Sequence, residues 1–214
     1  TVLERPSVAE ISIEGNSVTV SIEAVQGTYT GTLSDEGGQL SGTWSQGPAS
    51  LALTLVKGDP SPPPERPQEP KPPYPYSIEE VTFTNTEAGI DLAGTLTIPD
   101  GLGPFPGVVL VSGSGPQDRD ESLMGHKPFL VLADHLSRRG IAVLRFDDRG
   151  VGSSGGEFQT ATSENFTEDA LAGVSYLEGQ DRVAETQVGI VGHSEGGLIA
   201  PLAAIRSERV AYIV

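Results

Sequence analysis

The sequence predicts an α/β domain with a mainly parallel sheet and helical crossovers, preceded by a small antiparallel β module. Three observations predict it. Up to about residue 56, apolar residues alternate with Ser and Thr at a period of two. Residues 57–76, KGDPSPPPERPQEPKPPYPY, hold nine prolines. From Ser77 onward, short apolar runs alternate with stretches of helical periodicity.

Composition narrows the partners before any motif is read. The chain has 214 residues, enough for one domain with a full core or for two small ones. Its 29 acidic and 13 basic side chains leave a formal charge of −16. That sign argues against nucleic acid or an anionic membrane surface, since phosphate binding is driven by Lys and Arg. Cysteine is absent, which excludes disulfides, thiolate metal cages and a thiol nucleophile. Three histidines leave little for a metal site, and no cofactor is called for. The longest apolar runs, Val108–Val111 and Leu198–Ile205, fall far short of a bilayer crossing.

In the first region, residues 1–56, Ile11 and Ile13 form one alternating run. Val18, Val20 and Ile22 form a second, and Leu51, Leu53 and Leu55 a later one. Gly15-Asn16, Gly27 and Asp35 to Gly38 read as turns between about five short strands. Tyr29 and Trp44 read as packing residues rather than a binding platform. A core of this size is marginal alone, which points to further strands upstream of Thr1. Residues 57–76 cannot join a sheet, because proline removes donors and fixes φ. They read as a semi-rigid spacer; docking of a PxxP segment into an aromatic groove is the alternative.

In residues 77–214, Ile78–Asn85 and Ile90–Ile98 pair around Glu87-Ala88-Gly89. Gly107–Val111 is the first buried parallel strand. Phe129, Leu132, Ala133 and Leu136 line one face of a helix that Pro128 opens, with Arg138 and Arg139 in its last turn and Gly140 as terminator. Ile141–Phe146 is the next strand. Asn165, with Glu168 three residues on, caps a second helix whose stripe is Ala170, Leu171, Val174 and Leu177. Val188–Val191 is the third buried strand, a helix runs to about Ser207, and a fourth strand starts at Val210.

The most informative residues are Gly192-His193-Ser194-Glu195-Gly196-Gly197, between a predicted strand and a predicted helix. G-x-S-x-G in that context is a nucleophile elbow built by Gly192, His193 and Gly196 around Ser194. A tight strand-to-helix turn projects the hydroxyl above the sheet edge, and the helix N-terminus offers N–H groups to a developing oxyanion. The turn Ser112-Gly113-Ser114-Gly115-Pro116-Gln117-Asp118-Arg119-Asp120 supplies the second donor. The expected oxyanion hole is the Ser114 N–H with the Glu195 N–H; the alternative for this turn is an ordinary loop with Arg119 paired to Asp118 or Asp120 at the surface. Gly150-x-Gly152-x-x-Gly155 matches a dinucleotide fingerprint, but no helix opens within its glycines, so it is set aside. Asp147-Asp148-Arg149 is expected to brace its loop beside the site.

These blocks resemble the α/β-hydrolase superfamily, in particular bacterial esterases grouped with serine aminopeptidase-type (S33-like) hydrolases. The resemblance rests on SGSGPQDRDE (112–121), LADHLSRRGIAVLRFDDRGVGSSGG (132–156) and GHSEGGLIAPLAA (192–204), and spans residues 77 to 214. The stretch Gly42 to Gly47 is similar to the later part of a small N-terminal β domain that some of these enzymes carry. The resemblance implies the α/β-hydrolase fold, here its N-terminal half, and hydrolysis of small-molecule esters, often with short acyl chains. It implies Ser194 as nucleophile and Ser114 and Glu195 as oxyanion donors.

In this fold the acid and the histidine follow the serine in chain order. No histidine follows Ser194, and Glu208 comes too early. His126, His135 and His193 are read as structural. The apolar stretch Val210–Val214 reads as a strand entering a core, and the chain begins with Thr. The sequence is therefore expected to be a fragment, truncated at both ends and inactive alone, with its catalytic acid and histidine beyond Val214. Two alternatives stay open: a serine aminopeptidase on the same scaffold, and a non-catalytic binding protein whose β module is the working part. The compartment is open, with a lean toward an exported bacterial protein, and the oligomeric state is unassigned.

Overall fold

The computed structural model describes residues 9–58 and 65–214. The first eight residues of the expected β module, and residues 59–64 of the expected spacer, lie outside the described residues. Two compact units divide at Pro64/Glu65.

The smaller unit is a five-stranded antiparallel meander: β1 (Ala9–Glu14), β2 (Ser17–Ile22), β3 (Gly27–Leu33), β4 (Gln39–Gln46) and β5 (Ala49–Val56), paired in chain order. Its register aligns Ile11 with Val20, Val20 with Tyr29, Tyr29 with Trp44 and Trp44 with Leu51. Side chains alternate across a strand, so these residues share one face and the Ser/Thr positions the other. Tyr29 is buried, and its hydroxyl donates to the Leu40 and Leu53 carbonyls, each at 3.0 Å. Gly27 is not the turn expected of it. It opens β3 beneath Trp44, where a Cβ would lie 2.1 Å from an indole carbon. The turn is a 3-10 segment at Glu23–Val25, ended by Gln26 at φ +50°.

In the larger unit β6 (Tyr76–Asn85) and β7 (Ile90–Pro99) form a hairpin, followed by β8 (Phe105–Val111), α1 (Pro128–Ser137), β9 (Ala142–Phe146), α2 (Ser163–Glu178), β10 (Val183–Gly192) and α3 (Gly196–Arg206). The sheet order is β10-β8-β9-β7-β6, with β10, β8 and β9 parallel. Alternate residues of one strand serve opposite cores. Val109 and Val111 of β8 pack with Ala170, Val174, Ile199 and Ala203 of α2 and α3. Val108 and Leu110 pack with Phe129 and Ala133 of α1. Both faces are covered, as a parallel sheet requires.

Three details differ from expectation. The second half of the proline-rich stretch belongs to the larger unit: Tyr76 begins β6, stacks on Tyr74 at 5.3 Å and donates its hydroxyl to Asp134 at 2.7 Å. Helix α2 is capped by Thr162, and Asn165 is the third helical residue of a capping box rather than the cap itself. Residues from Val210 form a single bridge, Ile213 with Ile190, rather than a full strand. Ala211 N–H donates to the Val188 carbonyl and Val214 N–H to that of Ile190, along the side of β10 away from β8. No helix among the described residues is long and apolar enough to cross a membrane.

The chain leaves β8 for α1 on one face and reaches β10 from α2 on the other. Adjacent strands whose connections depart to opposite faces create a crevice at their C-terminal ends, where open α/β sheets bind ligands. The loops at that crevice are 112–121, after β8, and 193–195, after β10.

Candidate active site

The turn from β10 into α3 is as tight as its sequence demands. A Cβ on Gly192 would fall 2.0 Å from the Gly196 carbonyl oxygen, and one on Gly196 would fall 2.2 Å from that of Val111. Only glycine permits both approaches. Ser194, between them, has φ +53°, a left-handed conformation costing an L-residue about 1–3 kcal/mol. Its side chain is exposed at the crevice. His193 N–H donates to the Val111 carbonyl at 3.0 Å, tying the turn to the end of β8.

The loop after β8 lies against this turn. A Cβ on Gly113 would be 3.1 Å from Ser194 Cβ. Among the described residues, neither the Ser114 N–H nor the Glu195 N–H has a hydrogen-bond partner. Two unpaired donors on loops flanking an exposed serine can stabilise negative charge on a carbonyl oxygen attacked there. The Glu195 carboxylate is engaged elsewhere, accepting the Ser163 hydroxyl at 2.8 Å.

Carboxylates hold this loop from below, not the surface pairs that the sequence suggested for Arg119. The Arg119 backbone N–H and guanidinium both donate to Asp147, at 2.8–3.0 Å, and the guanidinium also reaches Glu80 and Thr95. Burial alone would raise the Asp147 pKa, but the Arg119 guanidinium and N–H bring it below the ordinary carboxylate value. Asp148 accepts the Ser112 hydroxyl at 2.9 Å and the Gln117 N–H at 3.0 Å. Burial dominates there and pushes its pKa up to about 7. Asp120 pairs with the buried Arg145, whose own pKa burial lowers to about 10. Arg149 turns the other way and grips Asp169 of α2 with two bonds of 2.7 and 2.8 Å, while Asn85 donates to the same carboxylate at 2.7 Å. Asp147 and Asp148 thus hold the loop after β8, while Arg149 ties the segment that follows β9 to α2.

The glycines of 150–155 make turns. Gly150 and Gly152 have φ +73° and +56°, and a Cβ on Gly152 would strike Asp147 Oδ2 at 2.4 Å. Helix α2 starts only at Ser163, so nothing there cradles a pyrophosphate. An apolar recess lined by Phe146, Phe158, Phe166 and Ile199 also takes in Gly113 and Glu195.

The structure brings together Ser194, Glu195 and the loop bearing Ser114. It places the histidines elsewhere: His135 is exposed on α1, and His126 sits in a bridge with Leu123, opposite Glu69. His193 is directed at Glu121, with 2.7 Å between its Nδ1 and Glu121 Oε1. Glu121 is the residue that the sequence did not reveal, since no local pattern links it to the elbow.

Comparison with known proteins shows likeness to hydrolases in sequence and in fold. A family model described as "Serine aminopeptidase, S33" matches residues 127–214. Esterase EstD of Thermotoga maritima is 40% identical over 134 residues, which are 63% of this chain and 31% of EstD. A crystal structure of a hypothetical protein from Pseudomonas aeruginosa superposes with TM-score 0.55 at 28% identity, covering 65% of this chain and 42% of that one. The α/β hydrolase GrgF from Penicillium sp. sh18 gives TM-score 0.53 at 25% identity, over 65% and 44% of the two chains. The chain thus spans about a third to under half the length of these relatives.

Proposed function

We propose that the larger unit, which has the fold of solved α/β hydrolases and is similar in sequence to an esterase, belongs to a protein that hydrolyses carboxylic esters through an acyl-enzyme on Ser194. The observation that carries the reading is the left-handed backbone of Ser194 between two glycines that cannot bear side chains. Strain of this kind persists only where the surroundings impose it, and here it presents a hydroxyl beside unpaired N–H donors.

Ser194 Oγ attacks the ester carbonyl carbon while a histidine takes its proton. The carbonyl oxygen becomes an oxyanion facing the Ser114 and Glu195 N–H groups. Collapse breaks the bond to the alcohol, which departs with the histidine's proton. Water then attacks the acyl-serine in the same way, releasing the acid and returning the proton to Ser194. Among the described residues Ser194 has no hydrogen bond to a histidine; His193 is directed at Glu121 and His126 faces Glu69. The base and its carboxylate partner are not assigned to residues of this chain.

A Ser194→Ala variant of the full-length protein tests the reading. Turnover of p-nitrophenyl acetate should fall on the order of 10⁴-fold or more, and labelling by a fluorophosphonate probe should vanish. Retained labelling would remove Ser194 from the mechanism. The family description favours one second reading, an aminopeptidase. A clear preference for an aminoacyl-naphthylamide over p-nitrophenyl acetate would establish it in place of the esterase.

A further inference from the structure

We propose that Glu121 is a positioning residue that sets the oxyanion hole, by clamping the loop of Ser114 to the turn of Ser194 through one carboxylate oxygen. The inference rests on the reading of Ser194 as nucleophile and of the Ser114 and Glu195 N–H groups as the hole. Glu121 Oε1 accepts the Gly113 N–H at 2.8 Å, and the same oxygen stands 2.7 Å from His193 Nδ1. Gly113 precedes Ser114 and His193 precedes Ser194. One oxygen therefore fixes the distance between the two segments that must face each other across a tetrahedral intermediate.

Three further features support a built clamp. Glu121 is 7% exposed, so its bond to the Gly113 N–H is made largely out of water, while its His193 partner lies at the surface. Its backbone is left-handed, φ +50°, a conformation unusual for glutamate that the surrounding turn enforces: Glu121 N–H donates to the Asp118 carbonyl, and the Asp118 side chain accepts the N–H groups of Asp120 and Ser122. Finally, Gly113 leaves no slack, since a Cβ there would lie 3.1 Å from both Glu121 Oε1 and Ser194 Cβ.

The clamp also decides which amide does the work. With the Gly113 N–H committed to Glu121, the neighbouring Ser114 N–H is the group left for the oxyanion. Preorganised donors act because they need no rearrangement as charge develops, so a loosened loop should slow the chemical step and leave ground-state binding nearly intact.

The test uses Glu121→Ala, Glu121→Gln and Glu121→Gly in the full-length protein. Removing an oxyanion donor outright costs roughly 10²–10³ in kcat, and misplacing one should cost roughly 10- to 100-fold. Alanine should therefore lower kcat on p-nitrophenyl acetate by that factor with KM nearly unchanged, and weaken a trifluoromethyl ketone inhibitor in parallel. Glutamine keeps an oxygen for the Gly113 N–H and should restore most of the loss. Glycine relieves the left-handed backbone, so Tm should hold or rise while kcat falls as in alanine, which separates the clamp from a purely structural role. Wild-type kcat and inhibitor affinity in the alanine and glycine variants would overturn the proposal, as would a glutamine variant no better than alanine. Ser194→Ala separates the two claims. If it is inactive while Glu121→Ala is unimpaired, only the clamp fails; if it retains turnover, the underlying reading fails.

Discussion

Both sheets have five strands, yet they do different things with them. In the smaller unit every connection is a hairpin or short turn, so the strand ends are tips and the sheet is a single layer. Ile11, Ile13 and Leu51 remain 64–67% exposed on its apolar face. In the larger unit, crossovers through α1 and α2 cover both faces, and Leu92, Leu96, Leu144 and Ile190 are fully buried. The crossovers also lengthen the connections at the strand ends, and those loops carry the buried Glu121, Asp147 and Asp148, with Asp169 on α2. Every buried charged residue among the described residues belongs to the larger unit. In this chain the crevice lies on the sheet joined by crossovers, where the connections part to opposite faces.

The comparison breaks most readily at Asp169. Its carboxylate is 1% exposed and neutralises Arg149, so Asp169→Ala strands a buried guanidinium. Loss of one partner from such a pair costs about 3–5 kcal/mol. Urea unfolding of the full-length protein should show that loss in the larger unit, with the unfolding of the β unit unmoved.

A second effect is confined to pH. The Asp148 carboxyl, raised to about 7, keeps its proton in the native state at pH values where the unfolded chain has released it. The unfolded state then binds fewer protons, so stability falls as pH rises from about 4 to about 7 and is level above that. At about 1.4 kcal/mol per pKa unit, the decline from this group is on the order of a few kcal/mol. Asp148→Asn should flatten that slope in Tm measured from pH 4 to 8. Asp147 works in the opposite sense, because its contribution is lost on the acid side, as pH falls through its depressed pKa.

The smallest effect gives the sharpest contrast, because the chemistry is identical in the two sheets. Ile190→Val removes one methylene from a fully buried position and should cost about 0.5–1.5 kcal/mol. Ile13→Val, at 67% exposure, should stay within about 0.5 kcal/mol. Equal costs by chemical denaturation would mean that the apolar face of the β unit is covered in the full-length protein.

What could be read in the sequence was whatever is local and periodic. The alternation of β1 to β5, the stripe Phe129 to Leu136 and the strand–glycine–helix signature around Ser194 all depend on neighbours within a few residues. Gly27 misled because a glycine demanded by a ring on the next strand resembles a glycine demanded by a turn. Asn165 misled because a residue at the third helical position can imitate the cap it supports. The frame of the site was hidden for another reason. Arg119 has acidic residues on both sides in sequence and instead reaches Asp147 and Glu80 across the fold. Glu121 bonds Gly113 across eight residues of one irregular loop, and it meets His193 only after β8 and β10 have come side by side.

That last dependence says something about the order in which the molecule is made. Each strand of the meander pairs with the one synthesised just before it, so the sheet can close while the chain is still emerging from the ribosome. The crevice has no such freedom. Its floor is β8 against β10, and β10 is translated only after α1, β9 and α2. A nascent chain halted before Gly192 would already hold Gly113, Ser114 and Glu121, on a loop with nothing to be clamped to. Of the residues on these two loops Ser194 is made after Gly113, Ser114 and Glu121, so no chain that stops short of it carries the facing pair.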